Sequence, residues 1–272
     1  MRVLVSVDME GIAGIVDGED VRPGEREYER NRALMTAEAN AAVRGVYDAE
    51  PDAEVLVSDA HAQFRNLLPE QLDRRATLLR GKPKPFGMMA GIAEDVDAVI
   101  FVGYHGRAGL AHSVLSHTIS GAVIADVRCN DRSLGELGLN AALAAAHGAV
   151  PILVAGDETV ATEASGVARG IWSVVVKRAL GMRAAENLHP EEACARIRAA
   201  VPQALRRSGR VRPLRFAGEV DVEVDVLSPA MAENALLVPG MELIGERTLS
   251  YEAEDFPTAY RVIQLIALLG RQ

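Results

Sequence analysis

Short, continuously apolar runs alternate along the chain with longer segments of helical period. Residues 2–7, 54–58, 98–102, 122–127 and 151–155 read as strands, and residues 24–47, 137–146 and 191–207 as helices. Runs such as VLVSV, AVIFVG and PILVAG carry no polar alternation, as expected of strands buried on both faces of a sheet between helices. The predicted fold class is α/β, a three-layer αβα sandwich.

The pattern changes after the helix at 191–207. The stretch SGRVRP interrupts it, so a boundary is placed near Ser208, dividing a larger αβα domain of residues 1–207 from a smaller C-terminal α+β subdomain of residues 208–272 packed on it. The run EVDVEVDV then alternates strictly. It puts Val220, Val222, Val224 and Val226 on one face and Asp221, Glu223 and Asp225 on the other, the signature of a half-solvated antiparallel strand whose acids face water. A closing helix over 255–269 is expected to turn Tyr260, Ile263, Leu265, Ile266 and Leu269 inward. No internal repeat or low-complexity tract is present.

At 272 residues, 49% hydrophobic and 25% charged, the chain has the composition of an enzyme-sized globular protein. Its 29 Lys plus Arg against 38 Asp plus Glu give a net charge of -9, the wrong sign for a nucleic-acid partner. The first apolar run is broken by Asp8 and Glu10 and is too short for a secretory signal core, and no run approaches the ~20 residues of a membrane span, so a cytoplasmic protein without a membrane partner is expected. Cys129 and Cys194 lack metal-ligand or disulfide spacing and read as small buried hydrophobes.

Polar residues of metal-ligand type recur where the apolar runs end: SVDME, SDAH, GYH and GDE. In parallel sheets with crossover helices, such strand ends collect around one cleft. Asp8 and Glu10 stand two residues apart in extended chain, which brings their charges within roughly 7 Å on one face. Two such carboxylates need a neutralising cation, and none is nearby beyond Arg2. Each residue taken alone has an ordinary explanation, an ion-paired acid or a hydrogen-bonded histidine at a strand end. Asp8, Glu10, His61 and His105 together point to a divalent cation. The histidines argue against magnesium or calcium, and a mixed carboxylate and imidazole set favours zinc.

Other polar residues have structural readings. Gly11 and Gly14 do not make GxGxxG, and the preceding acids would repel a pyrophosphate. His147 suits a helix C-terminus and His189, before Pro190, a helix start. Asp157 and Glu158 read as the N-cap region of the following helix, with orientation of a ligand histidine as the alternative. Trp172 and the pair Met88 and Met89 read as core.

The segments SVDMEGIAG, SDAH, GYH, SHT and GELGLN, in that order, resemble the motifs of DppA-type D-aminopeptidases, and KPKPFGMMAGI resembles a further stretch of that family. The likeness is dense from Met1 to about Asp157. The resemblance implies an αβα fold and two zinc ions per chain held by Asp8, Glu10, His61, His105 and Glu136; Asp8, which ends the central strand, is the candidate bridge. It also implies a catalytic His117 and hydrolysis of the N-terminal peptide bond of short peptides, D-Ala-D-Ala among them, by water activated at the centre. Glu136 and His117 rest on the resemblance alone. Ring-shaped homo-oligomers, decamers of two pentamers, are implied as well. His112 has no counterpart in the family motif. Two rival functions use the same residues: a dinuclear hydrolase of other amides or phosphate esters, and a peptide-binding or scaffold protein with structural zinc.

Overall fold

The computed structural model describes residues 1–271. Its main sheet has seven strands in the order β10-β9-β7-β4-β1-β2-β3. These are β1 (Arg2–Val7), β2 (Glu54–Asp59), β3 (Thr77–Leu79), β4 (Ala98–Tyr104), β7 (Val150–Asp157), β9 (Trp172–Gly181) and β10 (Ala184–Asn187). All neighbours are parallel except the β9–β10 hairpin at one edge. Helices α2 (Tyr28–Ala49) and α5 (Pro190–Arg206) cover one face, packing on Val3, Val5, Val7, Ile100 and Val102. Helices α3 (Glu136–Ala146), α4 (Glu158–Val167) and α7 (Phe256–Leu269) cover the other, which carries Leu4, Val99 and Phe101. The alternation of strand side chains between two helical layers is why the apolar runs are unbroken. A short α1 (Gly18–Val21) precedes α2.

A second, wholly antiparallel sheet has the order β13-β14-β12-β5-β6: β5 (Ile124–Cys129), β6 (Arg132–Ser133), β12 (Val220–Val226), β13 (Glu242–Leu243) and β14 (Thr248–Ala253). It draws strands from both sides of Ser208. The strand expected near 122–127 therefore pairs with β12, not with the main sheet, and α7 and α3 share one core with both sheets. The remaining elements are a two-strand pair, β8 (Ala168–Arg169) with β11 (Arg212–Pro213), and α6 (Pro229–Ala235).

In β12 the four valines are buried, as the alternation requires. Glu223 and Asp225 do not simply face water: Arg128 of β5 donates to both, at 2.8 and 2.7 Å. In α7, Tyr260, Ile263 and Ile266 are buried, but Leu265 is exposed and Leu269 only half-buried, because Val262 and Ala267 share the inward face. Cys129 is buried and Cys194 half-buried, both as free thiols.

Candidate metal centre

The main sheet reverses its winding at β1, since β2 lies on one side of it and β4 on the other, and the carboxyl ends of these strands open onto one cleft. Asp8 directly follows β1, His61 lies two residues beyond β2, and His105 directly follows β4. Glu136 opens α3, and His117 comes from the loop that connects β4 to the second sheet. The strand ends meet through glycine. The Gly11 amide donates to the Gly103 carbonyl at 2.7 Å, and a Cβ on Gly103, at φ +73°, would lie 2.2 Å from the Asp8 carbonyl oxygen. Only residues without side chains let the two backbones approach this closely.

The five expected ligands converge. Asp8 Oδ1 and Glu10 Oε2 lie 3.5 and 2.9 Å from His61 Nδ1. The other Asp8 oxygen, Oδ2, lies 3.5 Å from His105 Nε2, and Glu136 Oε2 stands 3.6 Å from that same nitrogen. His117 Nε2 is 3.5 Å from Glu136 Oε1 and 4.0 Å from Glu10 Oε1, and its ring stacks on His105 at 4.5 Å. Asp8, Glu10, His61, His105 and Glu136 are all buried.

The donor set fits a divalent metal. His61 Nε2 donates to the Val21 carbonyl at 3.0 Å, so a neutral ring turns the lone pair of Nδ1 onto two carboxylates. His105 Nδ1 likewise lies 3.0 Å from the Gly106 carbonyl, and its Nε2 and Glu136 Oε2 are buried without any hydrogen-bond partner among the described residues. Such an arrangement repels itself unless a cation sits within it. Two donors held about 2.0–2.1 Å from a tetrahedral zinc stand about 3.4 Å apart, close to the spacings around His105. Asp8, Glu10 and His61 form one compact donor set, Asp8, His105 and Glu136 a second, and Glu10, His105 and His117 a third.

The protonation equilibria report the same shortage of positive charge. Burial works against a charged His105, yet Glu136, Asp8 and Glu10 outweigh it and raise the ring to about 10. His61 rises well above its usual value for the same reason, with Glu10 the main partner. Burial pushes Glu136 up to about 8, helped by Asp8 and Glu10. Glu10 is held well below the usual carboxylate range, because the three histidines overcome its burial. His117 is lowered, by burial and then by His105 beside it.

Four further residues support the site, and among them only Asp157 stood out in the sequence. Asp59 folds the turn of His61 by accepting from the Asn66 amide at 2.6 Å, the Leu67 amide at 2.8 Å and the Asn66 side chain at 2.8 Å. Asp157 does cap α4, through Val160 at 2.8 Å, but its other oxygen accepts from Ser113 Oγ at 2.7 Å and so fastens the loop that carries His117. Lys177 and Glu38, both buried, hold the turn after β1. Lys177 donates to the Glu10 and Ile15 carbonyls at 2.7 and 2.5 Å, and Glu38 accepts from the Ala13 amide at 2.8 Å. A lysine closing the apolar run SVVVK was the available signal for Lys177: a register shift in β9's pairing with β7 brings it inside beside Val176.

A family profile described as D-aminopeptidase matches residues 1–265. The chain belongs to this peptidase family. A D-aminopeptidase of Bacillus subtilis (strain 168) is 35% identical over 274 aligned positions, covering 99% of this chain and 98% of that protein. A solved structure, the Zn-dependent D-aminopeptidase DppA from Bacillus subtilis, described as a self-compartmentalizing protease, superposes with a TM-score of 0.94 at 33% identity, covering 100% of this chain and 99% of that one. The chain is accordingly a hydrolase of the aminopeptidase class.

In this aminopeptidase a cavity of about 640 Å³ opens over Asp8, Glu10, His61, His117 and Glu136. Met88 is both buried and part of the cavity wall, whereas Met89 is core alone. His112 and Glu158 are exposed and outside the cavity. His147 and His189 serve as the helix caps their positions suggested, and Trp172 is half-buried beneath the Arg207 guanidinium. Among the described residues no helix is long and apolar enough to cross a membrane.

Proposed function

We propose that this protein is a zinc-dependent D-aminopeptidase that releases the N-terminal residue of short peptides, D-Ala-D-Ala among them, at a dinuclear centre held by Asp8, Glu10, His61, His105 and Glu136. The observation that carries the reading is the divergence of the two Asp8 oxygens, one toward His61 and the other toward His105, which gives two donor sets sharing one carboxylate. Metal bound there would neutralise the acids, polarise a scissile carbonyl and make water nucleophilic near neutral pH.

The chain's own residues supply the rest. His117 Nδ1 donates to the Leu115 carbonyl at 2.8 Å, which fixes the tautomer and leaves Nε2 as a proton acceptor facing the cavity. Its lowered basicity keeps it neutral at pH 7, the state a general base requires, and after taking a proton it can return it to the departing amine. The Ile119 amide donates to Glu136 Oε1 at 2.7 Å, so the loop of His117 and the carboxylate of Glu136 hold one another in register. A cavity of this size suits a di- or tripeptide. By likeness to the self-compartmentalizing relative we further propose a homo-oligomeric assembly, a ring-shaped decamer. Exposed Leu180 and Met182 on the edge hairpin and Leu237 and Ile244 beside the second sheet are compatible with subunit contacts.

The test is a panel of D- and L-aminoacyl di- and tripeptides, with a phosphate monoester as control, assayed on chelator-treated and zinc-restored protein. Zinc-dependent release of N-terminal D-residues is expected. Hydrolysis of the phosphate ester alone, or equal peptidase activity without metal, would overturn the reading.

A further inference from the structure

The cavity has two ends of opposite charge. Of its lining, the acids and histidines of the metal centre are buried or half-buried and mark its floor, whereas Lys82, Gly121, Ala122 and Arg271 are exposed and, with half-buried Lys84, mark its rim. Three cations belong to this rim: Lys82, Lys84 and Arg271. Lys84 is part of the frame, because its ammonium donates to Ser58 Oγ at 2.8 Å, the Asp59 carbonyl at 2.6 Å and, more weakly, the Leu79 carbonyl at 3.4 Å. All three of its protons are engaged.

Lys82 and Arg271 are not committed in this way. Lys82 packs its ammonium 4.6 Å over the Phe64 ring, and Arg271 uses Nε on the neutral Ser120 hydroxyl at 3.2 Å. Neither pairs with a carboxylate among the described residues, in a chain where acids outnumber bases by 38 to 29. They are close enough to feel each other: partial burial and the charge of Arg271 together lower the Lys82 ammonium. Like charges directed at one cavity are unfavourable unless an anion enters it.

We propose that Lys82 and Arg271 form the subsite for the C-terminal carboxylate of the peptide substrate. The inference rests on the peptidase function proposed above and specifies its substrate as a short peptide with a free carboxyl end. A zwitterionic dipeptide then matches the cavity along its length, amine toward the acidic floor and carboxylate toward the cationic rim. Selection by charge at both ends limits the enzyme to very short chains, since in a longer peptide the carboxylate lies beyond the rim.

The test compares D-Ala-D-Ala with its C-terminal amide, using zinc-restored protein. The wild type should favour the free acid about tenfold or more in kcat/KM, mainly through KM, as expected for charge-assisted hydrogen bonds. In Lys82→Met and Arg271→Met the ratio should fall toward one, while Lys82→Arg should retain it and Arg26→Gln, an exposed control outside the cavity, should leave it unchanged. Melting temperature and zinc content of each variant separate a lost subsite from a damaged fold. Equal turnover of acid and amide by the wild type, or acid preference persisting when Lys82→Met and Arg271→Met are combined, would overturn the subsite while leaving the peptidase intact. If the wild type hydrolyses neither compound, the peptidase function fails and this inference fails with it.

Discussion

The Lys177 ammonium donates 2.7 Å to the main-chain carbonyl of Glu10, 167 positions earlier in the chain, and so ties β9 to the turn that presents two of the acids. It also holds the Ile15 carbonyl, and its charge partly offsets that of the buried Glu38, which burial has pushed up to about 7. Burial likewise lowers Lys177 to about 8.

Replacing Lys177 with methionine keeps the volume but strips two buried carbonyls of their donor. Each such loss costs about 1–3 kcal/mol. Lys177→Met should therefore unfold at lower denaturant concentration and retain less zinc after gel filtration. A variant with wild-type stability and metal content would show that the turn is held by its other contacts.

Gly103→Ala tests the close approach of β1 and β4. Its Cβ would collide with the Asp8 carbonyl, whereas a Cβ on Gly24, at φ +94°, meets nothing within 4 Å. Gly24→Ala should thus cost only the backbone penalty of about 1–2 kcal/mol. The Gly103 variant should lose several times that, or fail to fold, as read by thermal melting. Equal losses would remove the steric account of the GYH motif.

Metal binding should be linked to protons. With His105 raised to about 10 and Glu136 to about 8, the metal-free centre holds protons on both at pH 7, and zinc must displace them. Affinity should rise with pH between 6 and 8, by about tenfold per unit for each proton released. Calorimetric titrations in buffers of different ionisation enthalpy would measure the number. Zero net release would mean that His105 and Glu136 have both already lost their protons in the metal-free protein.

If Asp8 bridges, Asp8→Asn should lower zinc content more than Glu10→Gln, since Asp8 and not Glu10 is shared by the set with His61 and the set with Glu136. Elemental analysis decides between these outcomes, and equal losses of one ion each would assign Asp8 to a single site.

His117→Ala should keep its zinc and lose roughly 10²- to 10⁴-fold in kcat with a smaller change in KM. His112→Ala, on the exposed side of the same loop, should stay near wild type. Loss of metal in the His117 variant would make it a ligand, as one of the three donor sets permits.

The apolar runs of β1, β2, β4 and β7 were legible because burial on both faces leaves no place for polar alternation, and the acids and histidines at their ends stood out against that background. Glu136 and His117 were legible only through family motifs, since a helix-opening acid and a loop histidine have no periodic signature. The sequence also announced the alternating valines of β12, but not that β5 would join it or that Arg128 would engage its acids. Those partners, like Ser113 on Asp157 and Lys177 on Glu10, are separated by 44 to 167 positions. Periodicity and capping are local and can be read along the chain. A long-range hydrogen bond depends on which backbones the packed core brings together, and that was decided only when both sheets closed over α3 and α7.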